Sequence, residues 1–114
     1  MKRTAVLILS AVFAACATVP AGIFARVDVA CGAQTIIFSN PVQIDEKVSI
    51  KATDQCAGTD SEVQLLDADG KILKQYPIPD GTTETMQVTV RGGQWLNFVC
   101  KGTSGGCYYS VSSE

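Results

Sequence analysis

The chain has 114 residues, enough for one domain, and its nine basic and eleven acidic residues give a formal net charge of −2. The basic residues are scattered rather than grouped in a run or stripe, which excludes nucleic acid and anionic membrane surfaces as expected partners. The absence of histidine excludes Ser-His-Asp and Cys-His nucleophiles and ordinary histidine-containing zinc sites.

The first 25 residues have the pattern of a secretory signal peptide. Lys2 and Arg3 form a short basic start, and the apolar run AVLILSAVFAACA follows and ends before Pro20. This run is too short for a membrane span, although an uncleaved anchor is the alternative. We therefore predict a signal peptide over residues 1–25 and a single domain over residues 26–114. Loss of the two basic residues changes the net charge to 7 − 11 = −4.

The end of this segment offers several processing sites. We expect cleavage after Ala25, which leaves Arg26 as the new terminus, and cleavage after Ala17 or Ala21 is the alternative. The sequence FAAC, which ends at Cys16, is close to a bacterial lipobox, where the cysteine becomes lipidated. The expected location is therefore periplasmic or secreted. The alternative is a lipoprotein held at the membrane by its lipids rather than by a span.

Beyond the signal peptide, strand signals recur at short intervals and no sustained helical pattern of apolar residues is present. The predicted strands are 26–31, 34–38, 47–53, 62–66, 72–76, 83–90, 95–100 and 107–112, with 42–46 as a connector or a short edge strand. About eight short strands at spacings of roughly 8–12 residues predict an all-β fold. We expect a small antiparallel β-sandwich of the jelly-roll or immunoglobulin-like kind.

The sequence DADGK at residues 67–71 predicts a hairpin between the fourth and fifth strands. Asp67 can accept local backbone hydrogen bonds, and Gly70 can adopt a positive φ, as a three-residue loop with a bulge requires. Pro77 and Pro79 are expected to end the second strand of this hairpin.

A second hairpin is predicted over residues 94–112, QWLNFVCKGTSGGCYYSVS, with Cys100 facing Cys107 across an antiparallel pair. In that register one face of the hairpin is almost wholly apolar and the other is mixed. Aromatic rings beside polar groups are enriched in recognition surfaces, so we predict a binding site on the mixed face. Its residues are Trp95, Asn97, Tyr108 and Ser110. A core or half-buried Trp95 without a binding role is the alternative.

Five cysteines become an even set when Cys16 is removed with the signal peptide, and four cysteines suit two disulfides in an exported protein. The hairpin register predicts the pair Cys100–Cys107, which leaves Cys31–Cys56. A disulfide from Cys31 to Cys100 is the alternative. The closest cysteines are seven residues apart, wider than the usual spacing of zinc ligands, so we expect no metal.

Most of the acidic residues fall in predicted loops, where solvated charge is expected: Asp45, Glu46, Asp54, Asp60, Asp67, Asp69 and Asp80. A weak calcium site that joins Asp67 and Asp69 to Asp54 or Asp60 is the alternative. Glycoside hydrolysis needs two carboxylates in a cleft, and no such pair is indicated. We therefore expect a protein that is not an enzyme and has no cofactor.

The segment VQLLDADGKIL, a Thr-rich strand and GGQWLNFVCKGTSGGCYYSVS together resemble small bacterial jelly-roll accessory modules of the pre-peptidase C-terminal type. The residues SGGCY at 104–108 are similar to the Ser-Gly-x-x-Tyr element of bacterial lysozyme inhibitors, which are small β-barrels of the envelope. These resemblances imply a small β module that binds. We expect an exported, non-catalytic protein that recognises a protein or a glycan. A lipid-anchored structural or inhibitor protein of the envelope is the alternative.

Overall fold

The computed structural model describes residues 26–113, so the predicted signal peptide, its cleavage site and Cys16 lie outside the described residues. The strands are β1 (Val27–Ala30), β2 (Gln34–Ser39), β3 (Glu46–Asp54), β4 (Ser61–Leu66), β5 (Ile72–Ile78), β6 (Thr83–Val90), β7 (Trp95–Val99) and β8 (Gly106–Ser113). In this part of the chain we find no helix with the length and apolar character needed to cross a bilayer.

The strands form two four-stranded antiparallel sheets. Sheet A has the order β1-β8-β3-β6, and sheet B has the order β2-β7-β4-β5. Every connection passes from one sheet to the other except β4 to β5, which stays within sheet B. This is the arrangement of a jelly roll. The predicted all-β sandwich is confirmed, and of its two predicted kinds the strand order matches the jelly roll.

The core lies between the sheets and follows the period-two alternation of the strands. Val48 and Ile50 of β3 are fully buried, as are Leu96 and Phe98 of β7. The Phe98 ring meets Tyr109 of β8 edge to face, with the ring centroids 5.7 Å apart. This contact joins the inner faces of sheets A and B, so alternation alone correctly identifies the inward residues.

The predicted β4–β5 hairpin is present. Gly70 has a φ of 88°. The Asp67 carboxylate Oδ1 accepts hydrogen bonds from the backbone nitrogens of Asp69 and Lys71, each at 2.9 Å. The turn therefore has the local chemistry that the sequence indicates.

The end of this hairpin differs from the prediction. The sequence predicts that the strand ends at Pro77, but β5 continues to Ile78, and Pro77 lies opposite Glu62 in the register. β5 is an edge strand of sheet B, and an edge strand tolerates proline because one row of its backbone donors needs no partner strand.

The predicted C-terminal hairpin is wrong. β7 lies between β2 and β4 in sheet B, whereas β8 lies between β1 and β3 in sheet A. Residues 100–105 therefore form an arch between the sheets, and the Cys100–Cys107 disulfide closes this arch. Side chains alternate between inward and outward along a strand in either sheet. The predicted inward residues of β7 and β8 are therefore correct, although the predicted pairing of these two strands is not.

Both predicted disulfides are present, and the alternative from Cys31 to Cys100 is wrong. Cys31–Cys56 and Cys100–Cys107 lie at one end of the sandwich, where β1, β3 and β7 end and β8 begins. Gly102 packs against this cluster with a φ of 137°, and an added Cβ there would lie 2.5 Å from the Cys56 sulfur. We call this part of the molecule the disulfide end.

The opposite end is held by the side chain of Asn40, which is 2% exposed. Its Nδ2 donates hydrogen bonds to the carbonyl oxygens of Ile44 and Val90, each at 2.8 Å, and its Oδ1 accepts one from the Val42 nitrogen. Residues 42–45 follow these bonds as a bend, so the predicted connector is confirmed and the edge-strand alternative is not.

Asp54 is expected in a solvated loop, but it is the last residue of β3 and is fully buried. Its Oδ1 accepts a hydrogen bond from the Cys56 nitrogen at 2.8 Å, and its Oδ2 accepts one from the Ser61 nitrogen at 3.1 Å. Asp67 lies beyond the other end of β4, about 20 Å of extended strand away. The calcium site that pairs Asp54 with Asp67 is therefore wrong, and so is the one with Asp60, which immediately precedes β4.

Candidate binding face on sheet B

The four predicted binding residues do not share one surface. Trp95 and Asn97 of β7 lie on the outer face of sheet B, whereas Tyr108 and Ser110 of β8 lie on the outer face of sheet A. The arch causes this separation, because the two strands enter different sheets. The prediction of one mixed face is therefore wrong, and the two pairs belong to opposite sides of the molecule.

On sheet B, outward polar side chains from all four strands form a continuous set that we call the polar ladder. Its members are Gln34 of β2, Asn97 of β7, Glu62 and Gln64 of β4, and Gln75 of β5. Asn97 is only 7% exposed, and its Nδ2 donates to Gln34 Oε1 at 3.0 Å and to Gln64 Oε1 at 3.2 Å. These hydrogen bonds fix the amide groups in place across three strands.

Glu62 accepts the hydrogen bonds at the other end of the polar ladder. Its Oε2 accepts hydrogen bonds from Gln64 Nε2 at 2.7 Å and Gln75 Nε2 at 2.9 Å, and its Oε1 accepts one from Lys101 Nζ at 3.2 Å. Burial raises the pKa of Glu62, but the hydrogen bonds from Gln75, Gln64 and Lys101, with the charge of Lys101, together lower the pKa below its ordinary value. The carboxylate is therefore ionised and paired at neutral pH.

A shallow depression of about 570 Å³ lies beside the ladder and is lined by Gln34, Thr35, Ile36, Trp95 and Asn97. Trp95 is half-buried, and its Nε1 donates a hydrogen bond to the Asp67 carbonyl oxygen at 2.9 Å, which holds the indole against the β4–β5 turn. Ile36 is 59% exposed on the edge strand β2. The depression thus combines apolar surface with amide groups, as ligand sites commonly do.

The outer face of sheet A is arranged differently around Tyr108. The Arg26 guanidinium lies 3.9 Å from the centroid of the Tyr108 ring and also pairs with Asp28 at 3.0 Å. A cation therefore already covers one face of the ring. Ser110 lies opposite Lys51 in the register, two residues from this contact. The binding role of both residues stays a prediction.

The disulfide end brings three sulfur atoms together. The Sγ atoms of Cys31, Cys56 and Cys100 all lie within 4.8 Å of one another. Each of the three belongs to a disulfide, and the zinc ligand is the thiolate rather than the disulfide sulfur. We therefore assign no metal to this cluster in the oxidised protein.

Sequence reasoning missed Gln34, Ile36, Gln64 and Gln75 as members of this face. All four alternate with inward residues in predicted strands, so their outward direction could be read from the sequence. The missing information was the strand order, because only the order β2-β7-β4-β5 places these residues beside Asn97.

Comparisons with known proteins give a likeness of fold. No family model matches the sequence, and no curated protein matches it. The chain is similar to a solved structure from Bacillus endospore appendages, which form a novel family of disulfide-linked pili. The TM-score is 0.50 and the sequence identity is 13%, over 76% of this chain and 80% of that chain. The protein is thus a small, disulfide-bonded β protein that resembles a protein of these pili in fold. The resemblances to accessory modules and lysozyme inhibitors stay predictions.

Proposed function

We propose that this chain is an exported, non-catalytic binding protein that recognises a glycan or a protein through the polar ladder and the adjoining depression of sheet B. The observation that carries the proposal is the juxtaposition of Trp95 and Ile36 with the amides of Asn97 and Gln34. Amide groups both donate and accept hydrogen bonds, which suits sugar hydroxyls and peptide groups alike. The aromatic and aliphatic side chains supply apolar contact beside them.

The same geometry supports a role without catalysis. The one carboxylate of the ladder, Glu62, already accepts three hydrogen bonds and pairs with Lys101. Glycoside hydrolysis requires two carboxylates, one of which keeps its proton to act as an acid. The lowered pKa of Glu62 does not suit that acid.

Export is supported by the two disulfides, which form and persist in oxidising compartments. The predicted signal peptide agrees with this location. The mass of the N-terminal peptide of the mature protein distinguishes cleavage by signal peptidase from lipidation. A free Arg26 supports release, and a lipidated Cys16 supports a membrane anchor.

Binding is tested by calorimetry against a panel of soluble glycans and candidate envelope proteins. Gln34→Ala and Ile36→Asp change exposed side chains of the depression, and Thr89→Ala, which changes an exposed residue of β6 on the outer face of sheet A, is the matched control. For any ligand that the wild type binds, we expect at least about a tenfold loss in the two sheet B variants and no change in the control. Equal binding by all four proteins contradicts the proposed face.

A second candidate, a subunit of an extracellular assembly, is favoured by the apolar edge strand β5. Ile72 is 44% exposed and Leu73 is 45% exposed, and the protein of similar fold forms disulfide-linked pili. An exposed apolar edge invites strand pairing with another chain. Sedimentation of the purified protein at increasing concentration, with Leu73→Lys as the comparison, distinguishes this candidate: it requires association that the variant loses.

A further inference from the structure

Among the four disulfide-bonded cysteines, Cys31 is the one that is more than slightly exposed to solvent. Cys56 and Cys100 are fully buried and Cys107 is 2% exposed, whereas Cys31 is half-buried at the end of β1. Thiol–disulfide exchange begins when a thiolate reaches a sulfur of the disulfide, so access selects which sulfur is attacked. An external thiol therefore attacks Cys31, and Cys56 is the sulfur that leaves.

The Cys56 sulfur that is released lies next to another reactive group, the second disulfide. The Sγ atoms of Cys31, Cys56 and Cys100 lie within 4.8 Å of one another, so a thiolate on Cys56 is adjacent to the second disulfide. Gly102 also packs closely against the Cys56 sulfur, and an added Cβ at this position would lie 2.5 Å from it. The geometry thus couples the two disulfides.

We propose that Cys31 is a site of covalent attachment for a thiol partner, and that the second disulfide captures the sulfur released by the attachment. The partner thiolate forms a bond to Cys31 and breaks the Cys31–Cys56 bond, which leaves a thiolate on Cys56. That thiolate forms a bond to Cys100 and breaks the Cys100–Cys107 bond. Cys107 leaves as a thiolate and takes one proton from solvent. Two disulfides and one thiol are present before and after, so no oxidant or reductant is consumed.

The surroundings of Cys107 fit the role of the final thiol. The Ser61 hydroxyl accepts a hydrogen bond from the Lys101 nitrogen at 2.9 Å and lies 3.5 Å from the Cys107 sulfur, so its proton is available to the departing sulfur. The Asp54 Oδ1 atom lies 3.7 Å from the same sulfur and can accept the S–H once the sulfur is protonated. A protonated thiol is a poor nucleophile, and the attachment is therefore slow to reverse.

The test uses the folded wild-type protein and reduced glutathione as the thiol probe, followed by acid quenching, alkylation and non-reducing peptide mapping. We expect one glutathione on Cys31, a Cys56–Cys100 disulfide and an alkylated Cys107. A glutathione adduct on Cys31 with Cys56 alkylated and Cys100–Cys107 intact overturns the relay. Absence of any adduct under native conditions overturns the attachment site.

A variant separates capture from simple exchange. In Cys100→Ala/Cys107→Ala the thiol on Cys56 has no second disulfide to attack, so it returns to Cys31 and expels the glutathione. We expect at least about a tenfold smaller steady-state adduct than in the wild type at the same thiol concentration. An equal amount of glutathione adduct in the two proteins contradicts capture. A second variant, Ser61→Ala, retains all four cysteines and should lower the yield of alkylated Cys107.

Discussion

Two of the glycine-bearing connections are both predicted as hairpin turns from the sequence, but they behave differently in the fold. The β4–β5 turn makes its own hydrogen bonds: the Gly70 nitrogen donates to the Asp67 carbonyl oxygen, and the Asp67 nitrogen donates to that of Lys71, each at 2.9 Å. It returns the chain to the same sheet. Its conformation is therefore encoded within the five residues that form it.

The arch between β7 and β8 depends on other parts of the chain. The Thr103 nitrogen donates to the Ala57 carbonyl oxygen at 2.9 Å, and the Cys100 nitrogen donates to that of Ala33 at 3.0 Å. The Gln55 nitrogen donates to the carbonyl oxygen of Gly106 at 2.9 Å. The comparison shows that a local turn can be inferred from its own residues, whereas an arch is defined by the loops that it contacts.

The largest expected difference lies between alanine substitutions at the two connections. In Gly105→Ala the new Cβ overlaps the Gln55 carbonyl oxygen, at a position with a φ of 102°. Overpacking and the left-handed backbone together are expected to lower the free energy of unfolding by about 3–4 kcal/mol. Gly70→Ala has a similar φ of 88° but open space, so we expect a loss of about 1 kcal/mol. Urea unfolding measures both, and equal losses would contradict the dependence of the arch on its neighbours.

Removal of the disulfide that closes the arch comes next. Cys100 and Cys107 are seven residues apart, and closing a loop of that size stabilises the folded state by about 2.5 kcal/mol in the chain-entropy treatment. Cys100→Ala/Cys107→Ala should lower the free energy of unfolding by that amount. The β4–β5 turn has no covalent link to the arch, so its amide hydrogen exchange rates should stay unchanged. A loss of protection in the turn would show that the turn depends on the arch.

A smaller effect is expected when the self-contained turn loses its acceptor. Asp67→Ala removes the carboxylate oxygen that accepts two backbone hydrogen bonds, and we expect a loss of about 1 kcal/mol in thermal or urea unfolding. Asp67→Asn is the matched control, because the amide oxygen can accept the same bonds. If Asp67→Asn loses as much stability as Asp67→Ala, the effect comes from the charge of Asp67 rather than from its hydrogen bonds in the turn.

The smallest effect concerns Glu62, which links the hairpin to the arch through Lys101. Because the folded pKa of Glu62 lies below its ordinary value, its ionised form contributes stability above the unfolded pKa, and this stability is lost as the pH falls through the folded pKa. Lys101 is 43% exposed, so we expect less than about 1 kcal/mol. Glu62→Gln should flatten the dependence of the free energy of unfolding on pH in the acidic range. A slope identical to that of the wild type contradicts this.

The sequence was informative wherever a property depends on a residue and its near neighbours. The inward direction of Ile50 and Phe98 followed from alternation, and the β4–β5 turn followed from Asp67 and Gly70. The Cys100–Cys107 pair was also correct, because an arch and a hairpin both bring these positions together.

The sequence was uninformative about properties that depend on strand order. Trp95 and Tyr108 each point outward, but only the topology shows that they point out of different sheets. Asp54 is polar and precedes a loop, yet it is buried because backbone nitrogens of two neighbouring segments converge on its carboxylate. Gln34 and Gln64 meet Asn97 for the same reason.

The position of both disulfides at one end also gives the sandwich a direction of motion. The covalent links keep the strand ends together at the disulfide end, whereas the opposite end relies on the hydrogen bonds of Asn40. We therefore expect local opening to begin at the Asn40 end, because only the opposite end is held by covalent bonds. Trp95, the first residue of β7, lies toward that freer end. We therefore expect the candidate binding face to adjust at the Asn40 end while the disulfide end stays fixed.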